Sequence, residues 1–132
     1  MTRSDSILML GWVALGGALG AVLRYLAVTS AARLFGVQFP YGTLAVNVIG
    51  SFLIGIIVVL FQSRYPQAEG LRNLLVVGVL GGFTTFSAFS LDTLLLFSNG
   101  EHGKALLNVL LNVLLCIAAA AIGFFVSRQV LA

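Results

Sequence analysis

The residues able to do chemistry in this chain are few, mostly uncharged, and set inside apolar sequence. Thr43, Asn47, Ser51 and Gly55 follow one another at i+4 spacing, which places them along one helix face. Asn108, Asn112 and Cys116 repeat that pattern nearer the C-terminus. Between the two stripes lies GGFTTFSAFS at residues 81–90, where adjacent glycines and β-branched threonines disfavour continuous helix. Side-chain amides, hydroxyls and freed backbone carbonyls are groups that replace the hydration shell of an ion. They are not the groups of hydrolysis or redox chemistry. The chain has one histidine, His102, and one cysteine, Cys116, and its four acids, Asp5, Glu69, Asp92 and Glu101, are scattered. No nucleophile–base pair, nucleotide loop or thiolate metal site can be assembled from them. An enzyme is not expected.

Composition says what must hold these residues. Of 132 residues, 60% are apolar and 8% charged, and the mean hydropathy is +1.10. Soluble domains carry about 25% charged residues, so this surface faces lipid. A bilayer core of about 30 Å needs roughly 20 apolar residues as helix. Four stretches qualify, at residues 7–28, 43–61, 73–97 and 105–127. The connectors at residues 29–42, 62–71 and 98–104 carry Pro40, Pro66 and the turn pair Asn99-Gly100. The expected fold is an all-α membrane protein: one domain over residues 1–132, four transmembrane helices, the third broken mid-membrane. The first stretch also has the look of a cleaved signal, but its apolar run exceeds the usual ~7–15 residues and reads as a retained span. The net charge of +3 does not point to nucleic acid, because the seven basic residues stand singly and a phosphate-binding face clusters them.

Four spans put the N-terminus, the second connector and the C-terminus on one side, with Arg3, Arg64, Arg72 and Arg128. The other side has Arg24, Arg33 and Lys104. Orientation follows an excess of Lys/Arg on cytoplasmic segments, and here the two sides are almost balanced. Two readings stay open: a single weakly biased orientation, or insertion both ways round with assembly as an antiparallel pair.

Each polar or small residue within a span has a packing reading beside a functional one. Gly16 and Gly20 form a GxxxG pair, which lets helix backbones approach, and packing suffices for them. Arg24 either snorkels to the headgroups, the safer reading, or pairs inside the assembly. Ser51 and Gly55 fit interhelical packing, whereas Asn47 has a whole amide to satisfy and either bridges helices or lines a path. Asn108 and Asn112 must face a partner or water, while Cys116 alone is a small packing residue. Phe83, Phe86 and Phe89 recur every three residues, a spacing common in plain packing. Interleaved with Thr84, Thr85, Ser87 and Ser90 beside a helix interruption, they also fit an ion path, since broken spans mark ion and substrate sites. Asp92 is the one acid within an apolar span, and His102 gets no role.

Residues 81–90, together with Gly42-Thr43-Leu44 and Asn47 and with Gly20 and Arg24, resemble the signature of the Fluc/CrcB family of fluoride channels. The resemblance covers essentially the full chain. Three departures show: Ala88 where the family usually has Thr, Asp92 where it often has Glu, and Asn108, Asn112 and Cys116 where the fourth helix often carries hydroxyls. The resemblance implies an antiparallel, dual-topology homodimer with two fluoride pores, multi-pass in the lipid of the cell (inner) membrane. It implies a structural sodium ion at the dimer centre, held by main-chain carbonyls at the positions of Gly81 and Thr84. The pore phenylalanines would be Phe86 and Phe89, the pore asparagine Asn47, and the polar track Thr43, Ser87, Asn108 and Asn112. The role implied is passive fluoride export and fluoride resistance. Ring edges are electropositive, and Asn47 and Asn112 offer N–H donors, so a small anion meets attraction without a trapping charge. The competing class is a proton-coupled exporter of the small multidrug resistance type, which needs a membrane carboxylate, typically in the first helix. The first span has none there. A non-transporting structural subunit would explain the glycines but not the polar interruption.

Overall fold

The structure is a computed structural model that describes residues 2–131; Met1 and Ala132, the ends of the expected domain, lie outside the described residues. The described chain is helical: α1 Arg3–Phe35, α2 Tyr41–Ser63, α3 Glu69–Arg72, a π-helical stretch Asn73–Leu80, α4 Gly81–Phe83, α5 Phe86–Ser98 and α6 His102–Leu131. Four rods, Arg3–Phe35, Tyr41–Ser63, Glu69–Ser98 and His102–Leu131, are long and apolar enough to cross a membrane.

The rods outrun the apolar windows of the sequence. At 33 residues and about 1.5 Å per residue, α1 is roughly 50 Å long, and the connector expected at residues 29–42 shrinks to 36–40. Basic and hydroxyl residues end an apolar window without ending a helix. What ends α1 is Gly36, at φ 81, a backbone conformation that glycine adopts without a Cβ penalty. Its start is fixed by a reciprocal cap: Thr2 N donates to Asp5 Oδ2 at 2.8 Å, and Asp5 N donates to Thr2 Oγ1 at 3.2 Å. Gly100, at φ 80, makes the turn between α5 and α6.

The main seams join α1 to the third rod and α2 to α6. Glycines let the backbones touch there. A methyl group at Gly16 would meet the carbonyl of Leu74, and one at Gly20 the carbonyl of Val79. Across the same seam, Gly82 faces the carbonyl of Gly17. In the second seam Gly55 faces the carbonyl of Ala120, and Gly123 that of Phe52. Lipid is as apolar as leucine, so helices in it associate by such close packing. The burial pattern inverts that of a soluble domain: Leu10, Leu15 and Ile117 are exposed, while Thr43, Asn47, Asn108 and Asn112 are buried.

Candidate functional site

The third rod is where the backbone leaves its regular path. The π-helical stretch Asn73–Leu80 runs into α4, which stops at Phe83, and α5 starts at Phe86. Between them Thr84 (φ −84, ψ 157) and Thr85 (φ −153, ψ 117) are extended. The adjacent glycines are themselves helical; the extended residues are the two threonines after Phe83. Their side chains close the ends they separate. Thr84 Oγ1 donates to the Leu80 carbonyl at 2.9 Å, and Thr85 Oγ1 accepts from Ala88 N at 3.0 Å as the cap of α5.

Carbonyls freed at such a point need partners away from water. Leu80 O has Thr84, through both its N–H and its hydroxyl. Gly82 O accepts from Arg24 Nε at 2.9 Å, and Thr85 O accepts from Asn47 Nδ2 at 3.1 Å. Among the described residues, none of the turn, cap and side-chain hydrogen bonds ends on the carbonyls of Gly81 or Thr84. Arg24 thus pairs inside the protein; snorkelling, the safer sequence reading, loses because the carbonyl end of α4 carries partial negative charge within reach.

Asn47 clasps Thr85 at two points. Its Oδ1 accepts from Thr85 N at 2.8 Å while its Nδ2 reaches Thr85 O. The other Nδ2 hydrogen goes to Asn112 Oδ1 at 3.0 Å. Asn112 Nδ2 donates in turn to the Asn108 backbone carbonyl and to Asn108 Oδ1, each at 3.0 Å. Asn108 Nδ2 donates to Thr93 Oγ1 at 2.9 Å, and Thr93 Oγ1 donates to the Phe89 carbonyl at 2.8 Å. One chain of hydrogen bonds therefore links α2, α6 and α5. The sequence reading offered Asn47 and Asn112 as free donors; in the structure the N–H groups of both are taken.

An open groove of 460 Å³ runs along this arrangement, lined by Asn47, Ser51, Thr85, Phe86, Phe89, Asn112 and Cys116 among others. No charged side chain is in its lining among the described residues. Phe89 is buried at 7% exposure and Phe86 is 77% exposed, with ring centroids 5.3 Å apart and planes tilted by 59°. Gly81 and Thr84 also border the groove. Ser87 lies on the exposed side, its hydroxyl 3.3 Å from that of Thr85. Asn108, fully buried, stands behind Asn112 and does not line the groove.

The i+4 stripe of α2 is divided between two cavities. Thr43 lines a separate one of 310 Å³ with Asp92, Tyr41 and Asn99, where Asp92 Oδ2 is buried without a hydrogen-bond partner among the described residues. Thr93 is the participant that sequence reasoning missed. The signal was there, since Thr85, Phe89 and Thr93 follow one another at i+4.

A family model described as CrcB-like protein, Camphor Resistance (CrcB), matches residues 11–124. A protein of Magnetococcus marinus named fluoride-specific ion channel FluC is 49% identical over 123 residues, 93% of this chain and 100% of that one. Proteins of the same name from Vibrio parahaemolyticus and Shewanella denitrificans are 50% and 54% identical, over 88% and 85% of this chain and 91% and 90% of theirs. With four spans and this match over nearly all its length, the chain belongs to the CrcB-like family and is a multi-pass membrane protein.

Proposed function

We propose that this chain is a fluoride-specific channel that lets fluoride leave the cell passively and so confers fluoride resistance. The observation that carries the reading is the uncharged groove in which Phe86 and Phe89 stand beside the amides of Asn47 and Asn112. The names of relatives about half identical over most of their lengths support the same reading. Fluoride is small and strongly hydrated, so it enters only where several weak contacts replace water. Ring edges supply them without fixed charge, and a site that binds without trapping conducts. Ser87, Asn108 and Asn112 would supply or support the polar stations along the groove, whereas Thr43, expected on the same track, lines the separate cavity with Asp92. A proton-coupled exporter is not favoured, because Asp92 lies outside the groove. The relatives are named as ion channels, which are not enzymes.

The channel unit is an antiparallel homodimer with two pores, the third helix broken near the centre of the cell (inner) membrane. An open groove with Phe86 77% exposed needs a second wall, and almost balanced basic residues suit insertion both ways. A sodium ion fits between the subunits: among the described residues no turn, cap or side-chain hydrogen bond occupies the Gly81 and Thr84 carbonyls, which are hard oxygen ligands and bring no carboxylate that would call for a divalent ion. When bound, sodium supplies charge that draws the two sets of carbonyls together; it is structural and does not travel with fluoride. Arg24 keeps the Gly82 carbonyl out of that set.

Proteoliposomes loaded with fluoride or chloride test the function. Fluoride should leave rapidly and chloride should stay; retention of fluoride, or comparable release of both, overturns the proposal. Replacing sodium on both sides by N-methylglucamine should abolish the flux, and unchanged flux removes the sodium. For orientation, a C-terminal reporter should give signal from both sides of the membrane. Three lysines added within residues 64–68 should fix one orientation and abolish function, restored by co-expressing an oppositely biased copy. A uniquely oriented, fully active protein would contradict the dimer.

A further inference from the structure

The hydrogen-bond chain through the buried asparagines has a fixed direction. Amide nitrogen and oxygen are often interchangeable in a structure, but here backbone groups decide. Thr85 N can only donate, so the Asn47 atom facing it at 2.8 Å is the oxygen. Thr85 O can only accept, which makes the other atom of Asn47 the nitrogen. That nitrogen has one hydrogen left, and it points at Asn112. Asn112 is fixed at its far end too, since the Asn108 backbone carbonyl can only accept and takes the Asn112 nitrogen at 3.0 Å. Asn112 must therefore turn its oxygen toward Asn47, and Asn108 Oδ1 holds it in that sense.

From this direction we infer that Asn112 is a positioning residue that latches Asn47: its Oδ1 occupies the acceptor place on the Asn47 amide that fluoride takes. The inference rests on the fluoride reading and deepens it. Of the two Asn47 N–H groups, the one on Thr85 O holds the extended threonines, and releasing it would open the backbone clasp. The one on Asn112 can be given up without disturbing the backbone, and both residues line the groove. An anion reaching Asn47 exchanges with the Asn112 oxygen, one acceptor for another. Asn108 prevents Asn112 from rotating to present its own N–H groups. Asn112 thus sets how strongly the station holds fluoride without itself donating to it.

The latch has a sign that distinguishes it from the other roles Asn112 can have. Removing a competing acceptor strengthens fluoride binding, removing a donor to fluoride weakens it, and removing a packing group leaves it unchanged. Initial fluoride efflux, measured against internal fluoride concentration and normalised to dimer content, gives the half-saturating concentration. In Asn112→Leu it should fall at least threefold. Asn112→Ser, too short to reach Asn47 yet still polar, should lower it in the same sense and serves where the leucine variant fails to assemble. Asn112→Asp should raise it, because the carboxylate grips Asn47 and repels the anion. A half-saturating concentration unchanged or raised in both Asn112→Leu and Asn112→Ser, with wild type releasing fluoride normally, overturns the latch alone. Failure of wild type to release fluoride overturns the channel reading instead. Loss of assembly in both variants would make Asn112 a folding residue and also end the latch.

Discussion

Phe86→Ile and Phe89→Ile should each lower initial fluoride efflux about tenfold or more, the factor that corresponds to about 1.4 kcal/mol on a barrier. The two positions differ in burial, which makes the pair informative. Phe86 is 77% exposed, so an aliphatic replacement removes little packing within the subunit beyond its contact with the Phe89 ring. Phe89 is 7% exposed, but a swap between apolar side chains of similar size usually costs under about 1.5 kcal/mol. Isoleucine keeps the apolar character and removes the electropositive rim. Loss of flux with assembly retained therefore isolates the rim. Each variant also loses the tilted ring pair, worth about 0.5–1.5 kcal/mol, so the double variant should fall short of the product of the single effects. Methionine, polarizable and adaptable, should retain part of the flux. The measurement is efflux normalised to dimer content by size-exclusion chromatography. Wild-type rates in both isoleucine variants would show that the rings only fill space.

Gly20→Val should yield no folded protein. Its added atoms would be directed at the Val79 carbonyl and at the amide of Phe83, 2.9 Å from a Cβ. Neither is the movable end of a side chain. Overpacking typically costs about 1–3 kcal/mol where side chains can yield; here backbone must separate, and the Gly82 carbonyl would be drawn away from Arg24. The control is Gly11→Ala, where a Cβ meets nothing within 4 Å. That change should be neutral or raise stability by up to about 1 kcal/mol through helix propensity. Detergent-solubilised yield and thermal melting of the two variants give the comparison. A well-folded Gly20→Val with normal melting would show that the seam between α1 and the third rod is looser than its geometry indicates.

The four rods were legible because an apolar window long enough to cross a bilayer is a strong signal, but their ends were not. Residues 29–35 carry hydroxyl and basic side chains that break the window, and all are helical. The adjacent pair Gly81-Gly82 drew attention as a helix breaker, yet both are helical, and Gly82 is small because the Gly17 carbonyl lies against it. Spacing placed Asn47, Asn108 and Asn112 on helix faces. It could not say that Asn47 would close on a backbone unit 38 residues away, nor which amide atom would face which. Those choices come from backbone groups that only the fold brings near. The same holds for Arg24, whose carbonyl partner lies on another rod.

The seams join rods that are not neighbours in the chain: α1 to the third rod, and α2 to the fourth. During synthesis from the N-terminus, the first and second rods must therefore each wait two spans for their main partners. Waiting is tolerable because a helix in lipid already has its backbone hydrogen bonds satisfied. Contacts far apart in sequence form slowly, and here the last to become available are those of α6. Asn108 and Asn112 sit on that rod, so the amide chain, with the groove beside it, is completed only when the C-terminal span arrives. A nascent or truncated chain has glycine seams still searching for partners, but no finished passage through which the membrane could leak.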